Sequence, residues 1–360
     1  MNLIDIAKLF GINGTIEEEE HITIGHINLT YRVKINGSEY IMQRINTYVF
    51  KDPIALMDNI VKVTSFIKKE LELKNMPTDR YVLSFIKSLN GKYYVIDNEN
   101  HYWRMYHYIP HSLTYNSIDD LEVIKNVGVA FGSFQRQLAS FDASTLVETI
   151  PNFHNTIDRY LKLEKAKEAD SFNRFLSVKD LYDEYMEVKP IAIKMTEMFN
   201  NGLLPLRVTH NDTKCNNVLF DIDTKEPLSV IDLDTVMPGL AGFDFGDSIR
   251  TGGVNSKEDE SDPSKIFMCL DKFEAFAKGF LSVTKESLTK NEIDTLPLGA
   301  ITMTAECGVR FLTDYLEGDV YFNPKYEGQN LIRAKAHILL VKDMISKLDK
   351  MNEIIENIVK

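Results

Sequence analysis

The residues best suited to chemistry lie in one short run and one outlier. His210, Asp212 and Asn217 fall in the order H-x-D-x-x-x-x-N, and Asp232 follows twenty residues after Asp212 on a β-prone run. In that pattern Asp212 can orient an attacking hydroxyl and take its proton late. Asn217 offers a neutral carbonyl oxygen and Asp232 a carboxylate, both hard ligands suited to Mg²⁺ on the phosphates of ATP. His210 reads as a hydrogen-bonded support of the loop. Asp234 is either a second metal neighbour or a residue behind the metal. Taken alone, Asp212 would read as a turn residue capping Asn216-Asn217. Its conjunction with Asn217, the strand that follows and the β-flanked Asp232 points to phosphoryl transfer. Asp244, in Phe243-Asp244-Phe245-Gly246-Asp247, is placed to brace the loop by accepting backbone N–H bonds. A helix N-cap at Asp244 or Asp247 is the alternative, and both can hold.

The elements that must position these groups divide the chain near residue 110. Residues 1–10 read as a short amphipathic helix. Ile22 to Ile24 and Leu29 to Ile35 are β-rich, and Asn36-Gly37 marks a hairpin into Tyr40 to Ile45. Residues 53–73 carry helical spacing, with Pro53 suited to a first turn. A second meander is expected from Val82 to Leu89, Lys92 to Asp97 and Tyr102 to Ile109. The reading is an α+β, bilobal, protein-kinase-like fold. Its small lobe, residues 1–110, is a five-stranded antiparallel sheet with one helix after the third strand, and binds nucleotide. Its large lobe, residues 111–360, is mainly helical and catalytic, with helices near 117–141, 154–168, 178–200, 264–284, 297–317 and 329–357.

Within the small lobe, Gly25 to Tyr31 can lie over ATP phosphates and donate backbone N–H groups, which makes Asn28 and Thr30 candidate nucleotide contacts. His26 is either a donor to a substrate or phosphate oxygen, or an exposed turn residue. The third strand, Tyr40 to Arg44, lacks the lysine that protein kinases place there, so Gln43 or Arg44 must meet the α/β-phosphates. Helix 53–73 has no glutamate partner in its middle, only Asp58-Asn59. Both departures argue against a protein kinase.

Composition narrows the partners. The 41 Lys and Arg against 53 Asp and Glu give a net charge of −12, which disfavours nucleic acid. The acidic run Glu17 to Glu20 reads as a solvated turn or the start of a strand. Three scattered cysteines without C-x-x-C spacing argue against a disulfide framework or a zinc site and fit a reducing cytoplasm. The N-terminal residues do not read as a signal peptide, and no apolar stretch suggests a membrane span. No protein partner is implied.

Longer strings carry a resemblance. Val208 to Lys214, Ile231 to Gly239 and Phe243 to Arg250 are similar to the N-acetylhexosamine 1-kinases, a branch of the aminoglycoside phosphotransferase and choline kinase group. The likeness runs along nearly the whole chain. It includes Gly25-His26-Ile27-Asn28 with Thr30-Tyr31, Phe131-Gly132 with Phe134-Gln135, Phe153-His154, Glu306-Cys307-Gly308 with Arg310-Phe311-Leu312, Asp314 to Asp319, and Tyr321-Phe322. The catalytic triplet marks only the wide group; the Glu306 to Asp319 strings and the Gly25 to Asn28 turn are more specific. The resemblance implies ATP- and Mg²⁺-dependent phosphorylation of the anomeric hydroxyl of GlcNAc or GalNAc. It carries over Asp212 as base, Asn217 and Asp232 as metal ligands, Asp244 as a brace, and His26, Arg310 and Tyr321 as sugar contacts. Read from the residues alone, Arg310 sits in an apolar helical run and needs a partner or a ligand, with an Asp314 ion pair at i+4 as the rival. Tyr321 is either core or a ring facing a sugar. Two other functions compete. One is another small-molecule kinase of this fold, acting on choline, homoserine, methylthioribose or an aminoglycoside, with Asp314, Glu317 and Asp319 as acidic walls. The other is a nucleotide-binding pseudokinase, against which the joint presence of Asp212, Asn217 and Asp232 speaks.

Overall fold

The computed structural model describes residues 2–23 and 27–360. The chain forms two compact units, Met1–Leu113 with Ser144–Pro151 and Leu219–Met237, and Thr114–Ala143 with Asn152–Val218 and Pro238–Lys360. The metal-loop candidates Asp232 and Asp234 thus belong to the first unit, although they lie far beyond residue 110 in sequence.

In the first unit, α1 (Leu3–Leu9) precedes β1 (Ile16–Ile22), β2 (Leu29–Ile35) and β3 (Ser38–Arg44), then α2 (Pro53–Leu73), β4 (Val95–Ile96), β5 (Tyr102–His107) and β6 (Ser112–Leu113). The five-stranded antiparallel sheet runs β1-β2-β3-β5-β4. Ile6, Ala7 and Phe10 pack against Val33, Ile35, Tyr40, Met42, Trp103 and Met105, so the residues of alternate parity form the sheet's apolar face. Thr30, Gln43 and Arg104 therefore share the opposite face. Asp52 caps α2 by accepting from the N–H groups of Ile54 and Ala55, and Pro53 takes the first helical position.

Two strand expectations change. Glu17 to Glu20 form the body of β1, an exposed edge strand whose charges discourage further pairing. Val82 to Leu89 is not a strand. Ile86 N–H donates to Met105 at 2.8 Å and His107 N–H to Ser84 at 3.1 Å, while β4 pairs with Tyr102 and Trp103. Two short segments share the outer edge of β5, and neither extends along all of it.

The second unit is mostly helical: α3 (Leu121–Gln137), α4 (Thr156–Ala169), α5 (Lys179–Ala192) and α6 (Lys194–Asn200), with the short strand β7 (Arg207–Thr209) before the catalytic segment. Strands β8 (Val218–Asp221) and β9 (Pro227–Val230) belong with β6 to the first unit, and after β10 (Met237–Gly239) the second unit resumes with α7 (Ala241–Gly252), α8 (Leu270–Thr284), α9 (Lys290–Asp294), α10 (Leu296–Leu316), α11 (Gln329–Ser346) and α12 (Leu348–Val359). The expected helix over 178–200 breaks at Ile193. Pro190, which supplies no N–H to the ladder, lies inside α5 three residues before that break. The expected helix over 329–357 breaks at Lys347, whose ammonium reaches the Met268 carbonyl at 2.8 Å and Asp343 at 2.7 Å. The helix expected from 264 starts at Leu270, because Met268 instead forms a bridge with Val254.

Glycines let the site-bearing helices meet backbone to backbone. A Cβ on Gly246 of α7 would lie 2.2 Å from the Gly299 carbonyl of α10. That close approach puts the Asp244 helix directly against the Glu306 and Arg310 helix.

Candidate active site

In the second unit β7 delivers a loop held almost wholly by α7. Asp244 is fully buried and accepts three bonds, from His210 N–H at 2.9 Å, Asn211 N–H at 2.8 Å and Gln135 Nε2 at 2.6 Å. Burial pushes its carboxyl up, against the opposing pull of His210 and these donors. Thr213 Oγ1 donates to the Asp244 carbonyl at 2.6 Å, and Thr213 N–H donates to Asp247 at 2.9 Å. Asp247 meets the Arg250 guanidinium through Nε at 2.9 Å and Nη2 at 2.8 Å. Asp244 and Asp247 lie inside α7, which begins at Ala241, so neither is its N-cap.

His210 is buried edge-on to Phe131 and Phe134 of α3, and its Nδ1 accepts from the Asp212 N–H at 3.3 Å. Asn211 turns the chain through a left-handed conformation, φ 65°. Beyond it the Asp212 carboxylate meets the Lys214 ammonium at 3.0 Å and the Asn217 amide nitrogen at 3.2 Å. Asn217 also donates to the Asp212 carbonyl at 2.8 Å. Both bonds use the amide nitrogen, so the Asn217 carbonyl oxygen is the end left for a hard cation. Asp212, first among its neighbours, raises the Lys214 ammonium above its ordinary value.

A second cluster abuts this loop within the same unit. His154 contacts the Asn211 carbonyl through Nε2 at 3.3 Å and Glu306 through Nδ1 at 2.7 Å. Glu306 is fully buried and also accepts from Thr156 at 2.8 Å. Burial would raise its carboxyl, but His154, Arg159 and Arg310 hold it below the ordinary value. Burial and then the nearby Arg310 charge lower the Arg159 guanidinium. Arg310 lies over the rings of Phe153, Tyr321 and Phe322 at 5.3–5.6 Å and donates to the Tyr321 hydroxyl at 3.3 Å.

The Arg310–Asp314 ion pair does not form. Asp314 instead accepts from the N–H groups of Tyr321 at 2.7 Å and Phe322 at 3.0 Å and from Asn330 at 2.9 Å. Asp319 is taken by Arg174 at 2.6 Å and Asn330 at 2.9 Å. Tyr321 is 63% exposed, so it is not a core residue.

In the first unit Asp232 adopts a left-handed backbone, φ 58° and ψ 56°, at the start of a 3-10 turn over Leu233–Thr235. Asp234 is buried and pairs with Arg104 of β5 and with the Asn28 amide. Arg104 Nε donates to Gln43 Oε1 at 2.9 Å, and Gln43 Nε2 donates to Thr30 Oγ1 at 3.1 Å. Burial opposes the Arg104 charge, but Asp234, with help from Asp232, holds its guanidinium above the ordinary value. Arg44 lies on the other sheet face from Gln43. Asn59 of α2 is buried and donates to the carbonyls of Val147 at 2.7 Å and Val236 at 3.0 Å, which secures the far end of the Asp232 turn. His26 lies outside the described residues.

Each unit thus holds oxygen donors that fit Mg²⁺, the Asn217 carbonyl in one and the Asp232 carboxylate in the other. A different trio, Glu258, Cys307 and His337, has candidate ligand atoms within 4.8 Å of one another. Arg250 and Arg333 each lie 3.3 Å from Glu258, and two guanidiniums oppose a dication there. From the sequence alone Arg104, Lys214, Asn59 and the His154–Glu306 pair carry no assigned role. An arginine inside the apolar strand Tyr102 to His107 was a usable signal, since buried arginine requires a carboxylate.

Residues 19–262 match the family described as Phosphotransferase enzyme family. Solved structures share the fold at low identity. An aminoglycoside phosphotransferase from Alicyclobacillus acidocaldarius is 10% identical, with 99% of this chain and 97% of that one covered and a TM-score of 0.63. A microcompartment-associated aminopropanol kinase is 12% identical over 97% of both chains, TM-score 0.61. A spectinomycin phosphotransferase, solved in complex with ADP and spectinomycin, is 16% identical over 97% and 98%, TM-score 0.53. Among the described residues no helix is long and apolar enough to cross a membrane.

Proposed function

Because the chain belongs to the phosphotransferase enzyme family, we propose that it transfers the γ-phosphoryl group of ATP to the anomeric C1 hydroxyl of an N-acetylhexosamine, GlcNAc or GalNAc, in the cytoplasm. The product is the sugar 1-phosphate. Asp212 orients the C1 hydroxyl and accepts its proton as the O–P bond forms. The transfer is in-line, with no covalent enzyme intermediate. Lys214, 3.0 Å from Asp212, is placed to share charge with the transferring group. Asn217 and Asp232 each offer an oxygen suited to Mg²⁺, which when bound would neutralise the phosphate oxygens. Asn28, Thr30, Gln43 and Arg44 are the first unit's candidate contacts to nucleotide; Gln43 and Arg44 point to opposite faces of the sheet, and the Asn28 and Gln43 side chains already bond within the unit. His26 is carried by resemblance as a sugar contact.

The observation that carries the choice of acceptor is the charge beside the catalytic loop. Burial first, and then the nearby Arg310 charge, depress the Arg159 guanidinium, and Arg159 Nε is buried without a partner among the described residues. Two guanidiniums and the Tyr321 ring suit a neutral, hydroxyl- and carbonyl-rich acceptor. They repel a cationic amino alcohol or aminoglycoside. Of the acidic walls such a cation would need, Asp314 and Asp319 are already committed to internal bonds, and Glu317 is left exposed.

The test is an acceptor panel read by ADP release, run on wild type and Asp212→Asn. Amino sugars should be turned over, and the variant should lose about 10²–10⁴-fold in kcat while keeping nucleotide affinity. Turnover of choline or an aminoglycoside but no amino sugar would refute the acceptor. Near-normal turnover by Asp212→Asn would remove the base. Nucleotide binding with no turnover on any acceptor would favour the pseudokinase.

A further inference from the structure

One buried cation stands behind the metal loop without access to any substrate. Arg104 occupies the middle of β5 with a side chain only 2% exposed, and it pairs with Asp234, itself 4% exposed. The other Asp234 oxygen accepts from Asn28, and Asn28 Oδ1 accepts from the Asn46 N–H at 2.9 Å. Through Gln43 at 2.9 Å the same guanidinium reaches β3, and through Thr30 at 3.1 Å the chain of bonds reaches β2. Asp234 is two residues from Asp232, and Asn59 fixes the turn two residues further on at Val236. One carboxylate therefore ties the metal loop to three strands and to the segment that precedes β2.

We propose that Arg104, acting through Asp234, is the positioning residue of the metal loop, in place of the lysine absent from β3. It sets the direction in which Asp232 presents its carboxylate to Mg²⁺. Through Asn28 it also fixes the start of β2 to the same point. The inference rests on the nucleotide reading above.

The geometry explains why this is a positioning role. A cation this enclosed cannot neutralise a phosphate by contact. Its charge is spent on Asp234, and its planar fork sets Asp234 in one orientation. A buried ion pair is also a poor device for stability alone, because apolar residues of similar volume commonly replace it without loss. Orientation of the neighbouring ligand is what apolar residues cannot reproduce.

That difference supplies the test. Wild type, Arg104→Met, the double variant Arg104→Met with Asp234→Leu, and the isosteric Asp234→Asn are compared as full-length proteins. Urea unfolding is measured, together with calorimetric titration of ADP at increasing Mg²⁺. Arg104→Met alone should unfold more easily, since it leaves a buried carboxylate unpaired. The double variant should regain the wild-type urea midpoint yet require roughly 10–100-fold more Mg²⁺ for half-maximal ADP binding. Asp234→Asn keeps the shape of the site and should shift the Mg²⁺ requirement in the same direction, so it carries the test if the double variant does not fold. A folded double variant or Asp234→Asn with the wild-type Mg²⁺ requirement would overturn the inference alone. Absence of Mg²⁺-dependent ADP binding by wild type would overturn the nucleotide reading and this inference with it.

Discussion

Replacing Asp244 by Asn tests the brace under the catalytic loop. Oδ2 of Asp244 accepts from His210 N–H and Gln135, and Oδ1 from Asn211 N–H. An asparagine has one carbonyl oxygen. Its best placement keeps the two Oδ2 bonds and turns its own NH₂ toward the Asn211 N–H, donor against donor. A buried donor left unmet costs about 1–3 kcal/mol, and that is the expected loss. The assay is urea unfolding, where the midpoint should fall at an unchanged slope. The pH dependence has a defined sign. The folded Asp244 carboxyl is raised above its unfolded value, so the native state holds its proton longer. The contribution is present below the usual carboxylate range and is lost as pH rises through the raised value. Asp244→Asn should remove that component. A midpoint change worth less than about 0.5 kcal/mol would refute the claim that this carboxylate holds the loop, since it would match an ordinary surface substitution.

Arg310→Met should raise KM for the sugar about tenfold or more and leave KM for ATP within about twofold; an unchanged sugar KM would remove Arg310 from the acceptor site. Asn59→Leu should destabilise by about 1–3 kcal/mol, because the buried Val236 carbonyl and two partly buried backbone groups at Val147 lose their partner; a midpoint shift near zero would contradict that anchoring. His337 is buried, and burial followed by the nearby Arg250 and Arg333 charges, against the opposing Glu258, lowers it from 6.5 to about 4. The unfolded chain then binds more protons than the native one between those values, so stability should fall by about 3 kcal/mol as pH drops from 6.5 to 4. His337→Gln should flatten that slope, and an equally steep profile in the variant would assign it to other groups.

What could be read from the sequence was local. The Asn36-Gly37 hairpin places two left-handed residues, φ 49° and 75°, between β2 and β3, where the spacing expects them. The run His210 to Asn217 is legible because one loop supplies all its members. Pro53 marks the start of α2 for the same reason. The unforeseen parts depend on distant partners. Arg104 and Asp234 are 130 residues apart, His154 and Glu306 152, and Gln135 and Asp244 109. Periodicity holds no record of such pairs. The helix break at Lys347 follows the same rule, since a tie to the Met268 carbonyl has no signature in helical spacing. Val82 to Leu89 shows β-prone composition without a free partner edge, and composition alone does not reveal that β4 already occupies part of β5.

The position of the transferred phosphorus separates anomeric phosphorylation from the other acceptor chemistries. The protein is incubated with Mg-ATP and GlcNAc or GalNAc, and the product is examined by ³¹P and ¹H NMR. Phosphorus coupled to the anomeric proton, as in a sugar 1-phosphate, is the expected result. Phosphorus coupled to the C6 protons, or no sugar phosphate at all, would contradict it.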